Sequence, residues 1–139
     1  MVIVATRKGL EPRTIFLNFY RSLRIDSVTS TITIMKAASV ESQGGDFKVV
    51  DLPVPEPADD QMLIKSIYAP VNPVDAYMLQ SGLLVVSWPV VLGCDAGGIV
   101  VKTGKNAISA LGTPFKEGDK VFGCTRLGFP GYSTFQEYV

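Results

Sequence analysis

The chain has 139 residues, 47% of them apolar and 19% charged, which is enough side chain for one buried core, too little charge for general disorder and too short for two full domains. Thirteen basic residues balance thirteen acidic ones, so there is no electrostatic footprint for gripping a nucleic-acid backbone, and no run approaches the roughly 18 apolar residues of a membrane-spanning helix. Histidine is absent and cysteine occurs only as Cys94 and Cys124, which excludes a Ser/His/Asp triad, a His-based proton shuttle, His-ligated zinc and a disulfide framework within this chain.

Residues 1–34 read differently from the remainder. They carry five basic residues against two acidic ones, while residues 35–139 carry eight against eleven. Short apolar clusters such as Ile15-Phe16-Leu17 lie among Arg, Ser and Thr with no sustained period, so the stretch is expected to be a poorly ordered N-terminal extension. Without a secretory signal the expected setting is reducing and cytoplasmic; the Arg-containing, acid-poor start leaves a mitochondrial transit peptide as the alternative.

From Lys36 the pattern becomes short strands punctuated by Gly and Pro. Lys36–Val40 and Phe47–Leu52 are β-rich, and Gly44-Gly45-Asp46 supplies turn chemistry, so a hairpin is expected. Pro53, Pro55 and Pro57 then impose an extended connector, because proline lacks an N–H and fixes φ. Met62–Ala69 is a third strand. Ile99-Val100-Val101 reads as a strand entered through Gly97-Gly98, Glu117-Gly118-Asp119 as a turn launching Lys120–Gly123, and Tyr132–Val139 alternates aromatic with polar residues. The expected fold is mainly β, a small partly open barrel.

One short helix stands out near residues 73–81. Asn72 is a good N-cap, Pro73 falls where its missing N–H costs nothing, and Asp75 sits at the third helical position, where a carboxylate favours the positive end of the dipole. Gly82 can supply the left-handed residue that ends the helix.

Residues 35–139 resemble the N-terminal, GroES-like domain of the medium-chain dehydrogenase/reductase superfamily. Five segments carry the resemblance in order: Met35-Lys36-Ala37-Ala38; Ala69-Pro70-Val71-Asn72-Pro73-Val74-Asp75; Pro89 through Val100, with Gly93-Cys94-Asp95-Ala96-Gly97-Gly98 at its centre; Phe115 through Gly123; and Phe135-Gln136-Glu137-Tyr138-Val139. Within the superfamily the residues are similar to the zinc-free quinone oxidoreductase and trans-acting enoyl reductase branch, the latter serving polyketide synthases. Zinc-dependent relatives place Cys where this chain has Asn72 and a His-Glu pair where it has Cys94-Asp95. Counting only Cys94 and Asp95 as ligands, the expectation is a chain without zinc, because a tetrahedral site needs three or four donors.

The resemblance implies an NADPH-dependent oxidoreductase that reduces an activated C=C of an enoyl thioester, enone or quinone. It places Asn72, Val74, Asp75, Ala76 and Tyr77 at the nicotinamide end of NADPH. Helix-start N–H groups suit the polar groups of a dinucleotide; the plainer use of Asn72 and Asp75 is to cap the helix. Tyr77 is the catalytic candidate, since a phenol can donate a hydrogen bond or proton to the carbonyl oxygen on which charge builds. A half-buried aromatic with a surface hydroxyl is the equal alternative, and polyketide-linked relatives usually carry another residue there. Cys94 reads as a small buried side chain, Asp95 as an organiser of the cleft wall, and Phe135 as core or substrate lining.

No Gly-x-Gly-x-x-Gly follows a strand, and Gly93 to Gly98 has the wrong spacing. Relatives hold most of the dinucleotide on a Rossmann domain, so the chain alone is expected to bind NADPH weakly and to need that missing domain or a partner chain, with a small-molecule substrate and a polyketide synthase as further partners. The alternative is a stand-alone GroES-like interaction module without catalysis.

Overall fold

The computed structural model describes residues 33–139; the expected extension over residues 1–34 lies outside the described residues except for Thr33 and Ile34. Six strands and one helix follow in chain order: β1 (Ile34–Val40), β2 (Phe47–Pro53), β3 (Met62–Tyr68), α1 (Pro73–Ser81), β4 (Val90–Val91), β5 (Asp95–Thr103) and β6 (Lys120–Cys124). They form two three-stranded sheets, ordered β2-β1-β4 and β3-β5-β6. Among the described residues the architecture is mainly β with a single helix, as the punctuated apolar runs predict.

The hairpin pairs Val40 with Phe47 and runs in register to Ile34 with Pro53. Its loop turns at Gly44, whose φ of 70° suits a residue without Cβ. The same loop closes the end of α1, because the Gly44 N–H donates to Leu79 O at 2.7 Å and Gln43 Nε2 to Gln80 O at 2.7 Å. Carbonyls in the last turn of a helix have no partner within it, and here the hairpin supplies the donors.

The Tyr132–Val139 alternation becomes a lace between the sheets. Phe135 O accepts from Ala38 N at 2.8 Å and Glu137 N donates to Lys36 O at 3.1 Å, while Glu137 O accepts from Ser66 N at 2.9 Å and Val139 exchanges two bonds with Ile64. The segment therefore bonds β1 through its first half and β3 through its second. No ladder among the described residues joins β2 to β6, so the combined surface stays open and does not close into a barrel.

Two features differ from the sequence reading. The pair Val90–Val91 forms a short strand against Val40 and Ser39, an element too brief to leave a period. Gly97 and Gly98 lie inside β5 and do not merely lead into it. A Cβ on Gly98 would collide with Lys65 O and stand 2.6 Å from Ile64 Cγ2, so its bare Cα is what lets β3 approach at the bulge between Ser66 and Tyr68.

Among the described residues the buried apolar side chains include two small clusters. Ile64, Ala96 and Val139 form one between β3, β5 and the terminal segment. Met78, Val90 and Leu92 form the other, with Val74, Leu79, Trp88 and Phe135 packed around them. The second cluster anchors α1 and so positions the candidate site.

Candidate functional site

The site is built where α1 begins. Asn72 holds the N-cap with extended backbone (φ −114°, ψ 157°), Pro73 is the first helical residue, and Gly82 ends the helix in the left-handed conformation with its N–H on Met78 O. The start is held mainly by Asp75. Only 3% exposed, it accepts the Asn72 N–H at 2.7 Å through Oδ2 and the Gly93 N–H at 3.2 Å through Oδ1. A buried carboxylate with both oxygens on backbone donors is a clamp between the helix and the β4–β5 link. Gly93 is fitted to this place: its φ is 94°, and a Cβ would stand 2.6 Å from the Phe135 ring.

The side chain of Asn72 also reaches beyond the helix. Its Nδ2 donates to Asp95 Oδ2 at 2.9 Å and lies 3.5 Å from Cys94 Sγ. Asn72 is half-buried, Val74 half-buried within the Met78 cluster, and Ala76 exposed. Tyr77 is 61% exposed, with its ring away from the packed interior. The sequence-selected residues therefore divide. Asp75 and Val74 secure the helix, while Ala76 and Tyr77 are exposed and Asn72 is half-buried against Asp95. Phe135 packs in the core cluster, its ring edge-on to Phe47 at 6.3 Å between centroids.

Cys124 was absent from the residues chosen by sequence. The β5–β6 register sets it opposite Asp95, and both thiol sulfurs and an Asp95 oxygen lie within 4.8 Å of one another. The long connection between Thr103 and Lys120 hides this register, so no spacing in the sequence announces it. Burial first, then the negative charges of Asp95, Asp75 and Cys124, pushes the Cys94 thiol up to about 11, against a smaller opposing effect of the Asn72 hydrogen bond. Cys124 is raised too; the residue as a whole is exposed, but partial burial of its sulfur leads and Asp95 adds to it. Both are protonated and weakly nucleophilic at neutral pH. As ligands for a metal, these three residues supply one donor more than the sequence count allowed.

A cavity of about 380 Å³ lies apart from α1, lined by Pro55, Gln61, Ile64, Ala96, Phe115 and Tyr132 among others. Gln61 Nε2 donates to the Tyr132 hydroxyl at 2.5 Å across it. Neither Asn72 nor Tyr77 lines this cavity, which reaches the site only through Cys124. No described helix is long and apolar enough to cross a membrane.

Residues 58–139 match the family model of the alcohol dehydrogenase GroES-like domain. The chain is 40% identical over 95 residues to a trans-enoyl reductase, pgmF, of Aspergillus terreus, covering 63% of this chain and 26% of that protein. It is 39% identical over 104 residues to the chloroplastic NADPH-dependent alkenal/one oxidoreductase of Arabidopsis thaliana, covering 69% and 26%. Among solved structures, the quinone oxidoreductase from Coxiella burnetii superposes with a TM-score of 0.62 at 32% identity, over 77% of this chain and 34% of that one. The chain spans about a quarter of the length of the curated relatives it matches.

Proposed function

We propose, for a chain that belongs to the alcohol dehydrogenase GroES-like domain family of the medium-chain dehydrogenases/reductases, that it is the substrate-side part of an NADPH-dependent reductase acting on an activated C=C. The observation that carries this reading is the division of labour at α1. Asp75 is committed to the backbone, Asn72 is half-buried with its amide on Asp95, and Tyr77 is left exposed within one helical turn and a half of it. Bound NADPH would supply the hydride. Tyr77 would donate a hydrogen bond or proton to the carbonyl oxygen of an enoyl thioester, enone or quinone as negative charge accumulates there. Ala76 would give the nicotinamide face apolar contact, Asn72 would set its edge, and Val74 and Asp75 would keep the helix start in place. In this reading the chemical step uses hydrogen-bond donors and no zinc.

Relatives that include trans-enoyl reductases support a polyketide synthase as the source of substrate. The described residues contain no glycine-rich turn from strand to helix, so most dinucleotide contacts would come from a nucleotide-binding domain outside this segment. Loss of those contacts weakens affinity tenfold for each 1.4 kcal/mol. The test mixes the purified chain with NADPH and an α,β-unsaturated thioester, alone and with a relative's nucleotide-binding domain in trans. Consumption of NADPH only in the presence of both pieces, and its fall in Y77F, is expected. Equal rates for wild type and Y77F would remove Tyr77, and robust turnover by the chain alone would remove the half-site reading.

A second reading has its own observation. Tyr68, Val71 and Phe122 are 73%, 77% and 77% exposed, and Tyr68 and Phe122 flank Gly97 across β3-β5-β6. Such an apolar surface also suits an interaction module without catalysis.

A further inference from the structure

The end of β6 brings a donor set together that the hydride-transfer reading leaves unused. Thr125 is bonded twice to Cys94 O, by its N–H at 2.6 Å and its hydroxyl at 3.0 Å, so the end of β6 is pinned across the Cys94-Asp95 step. Two sulfurs and a carboxylate oxygen then lie within 4.8 Å of one another. Zinc-type ions bind sulfur at about 2.3 Å and carboxylate oxygen at about 2.0–2.2 Å, which separates tetrahedral ligands by roughly 3.5–3.8 Å. Side-chain movement on the order of an ångström closes the triangle. Asn72 Nδ2 already orients Asp95 from outside, the kind of supporting contact that ligating carboxylates receive. No salt bridge among the described residues uses Asp95, and the cation two residues beyond Cys124, Arg126, is stacked 3.6 Å over the Phe129 ring.

We propose that Cys94, Asp95 and Cys124 form a three-ligand site for a thiophilic divalent cation of the zinc, cobalt or cadmium class, with the fourth position left to water. Paired thiolates select such ions over magnesium or calcium. The set differs from that of zinc-dependent relatives, because Asn72 stands at the helix start where they have cysteine, and the missing donor comes from β6. It revises the expectation of a zinc-free chain, which counted only Cys94 and Asp95. The site goes beyond the reductase reading and does not rest on it. Binding displaces the two thiol protons to solvent, so occupancy falls as pH falls.

Cobalt(II) is the probe. The chain has no other cysteine and no histidine, so a thiolate-to-cobalt charge-transfer band can come only from these two residues. The whole chain, kept reduced with a phosphine, is titrated with cobalt(II). One equivalent should produce that band together with the strong visible absorption of tetrahedral cobalt, and zinc should bleach both. C124S, at the exposed end of β6, is expected to keep its circular dichroism and weaken binding about 100-fold, and D95N about 10–100-fold, on the scale seen when groups supporting a metal site are removed. Absence of the band up to about millimolar cobalt, far weaker than structural zinc affinities, would overturn the proposal. So would C124S binding as tightly as wild type.

Discussion

Replacing Asp75 tests the clamp on which the candidate site is built. In D75A two backbone donors, the N–H groups of Asn72 and Gly93, lose their acceptor, and Asp75 is 3% exposed, so water does not readily replace it. A hydrogen bond to a charged group contributes about 1.5–3 kcal/mol, and a carboxylate in the first turn adds about 0.3–1 kcal/mol through the helix dipole. Because the Gly93 bond is the longer one at 3.2 Å, the expected loss lies in the lower part of that sum, about 3–5 kcal/mol, a large part of the 5–15 kcal/mol that typically holds a domain. D75N keeps one acceptor oxygen but turns an NH₂ toward the other donor, and is expected to lose about 2–3 kcal/mol. Urea denaturation followed by Trp88, the chain's single tryptophan and a neighbour of the Met78 cluster, reads both. With m near 2 kcal/mol/M, the D75A midpoint drops by about 2 M at unchanged m. A loss below about 1 kcal/mol for D75A, or a D75N midpoint equal to wild type, would refute the clamp.

Three further outcomes are expected. Y77F, at a 61% exposed position, should change stability by less than about 0.5 kcal/mol while lowering turnover of the reconstituted enzyme about 10²–10⁴-fold; unchanged turnover would assign the ring to the surface alone. G98A should prevent β3 from seating against β5 and cost about 3 kcal/mol or more, measured by thermal unfolding, and a variant melting within a few degrees of wild type would show that the bulge can absorb a methyl group. Alkaline pH should weaken the fold. Cys94 is held to about 11 from an ordinary 9.0, so the native state keeps a proton that the unfolded chain gives up. Stability is intact below about pH 9 and falls by roughly 2–3 kcal/mol between pH 9 and 11, with Cys124 acting in the same direction. Urea midpoints across that range check it, and a slope as steep in C94A would place the cause elsewhere.

Local chemistry made much of this molecule legible. Asn72, Pro73, Asp75 and Gly82 each act on φ, a backbone donor or a backbone acceptor within their own turn, and α1 begins and ends where they require. The hairpin was readable for the same reason, its turn residues lying between two β-rich runs. What stayed hidden depends on partners distant in the chain. Val90–Val91 is a strand only because β1 accepts it, and Cys124 meets Asp95 only through a register that no neighbouring residue encodes. The Asp75 contact with Gly93 belongs to both classes. Its half toward Asn72 is local, and its half toward Gly93 crosses 18 positions.

The lace formed by residues 135–139 sets a condition on how the molecule is made. Glu137 bonds Lys36 across 101 positions, and the same five residues then reach β3, so the two sheets share no completed seam until Val139 has left the ribosome. Each nascent half must wait with an unpaired β1 or β3 flank, and contacts of such long sequence range are slow to form. Chaperone dependence of these two sheets during synthesis, measured by pulse-labelled capture, should therefore persist at least until this stitch is available.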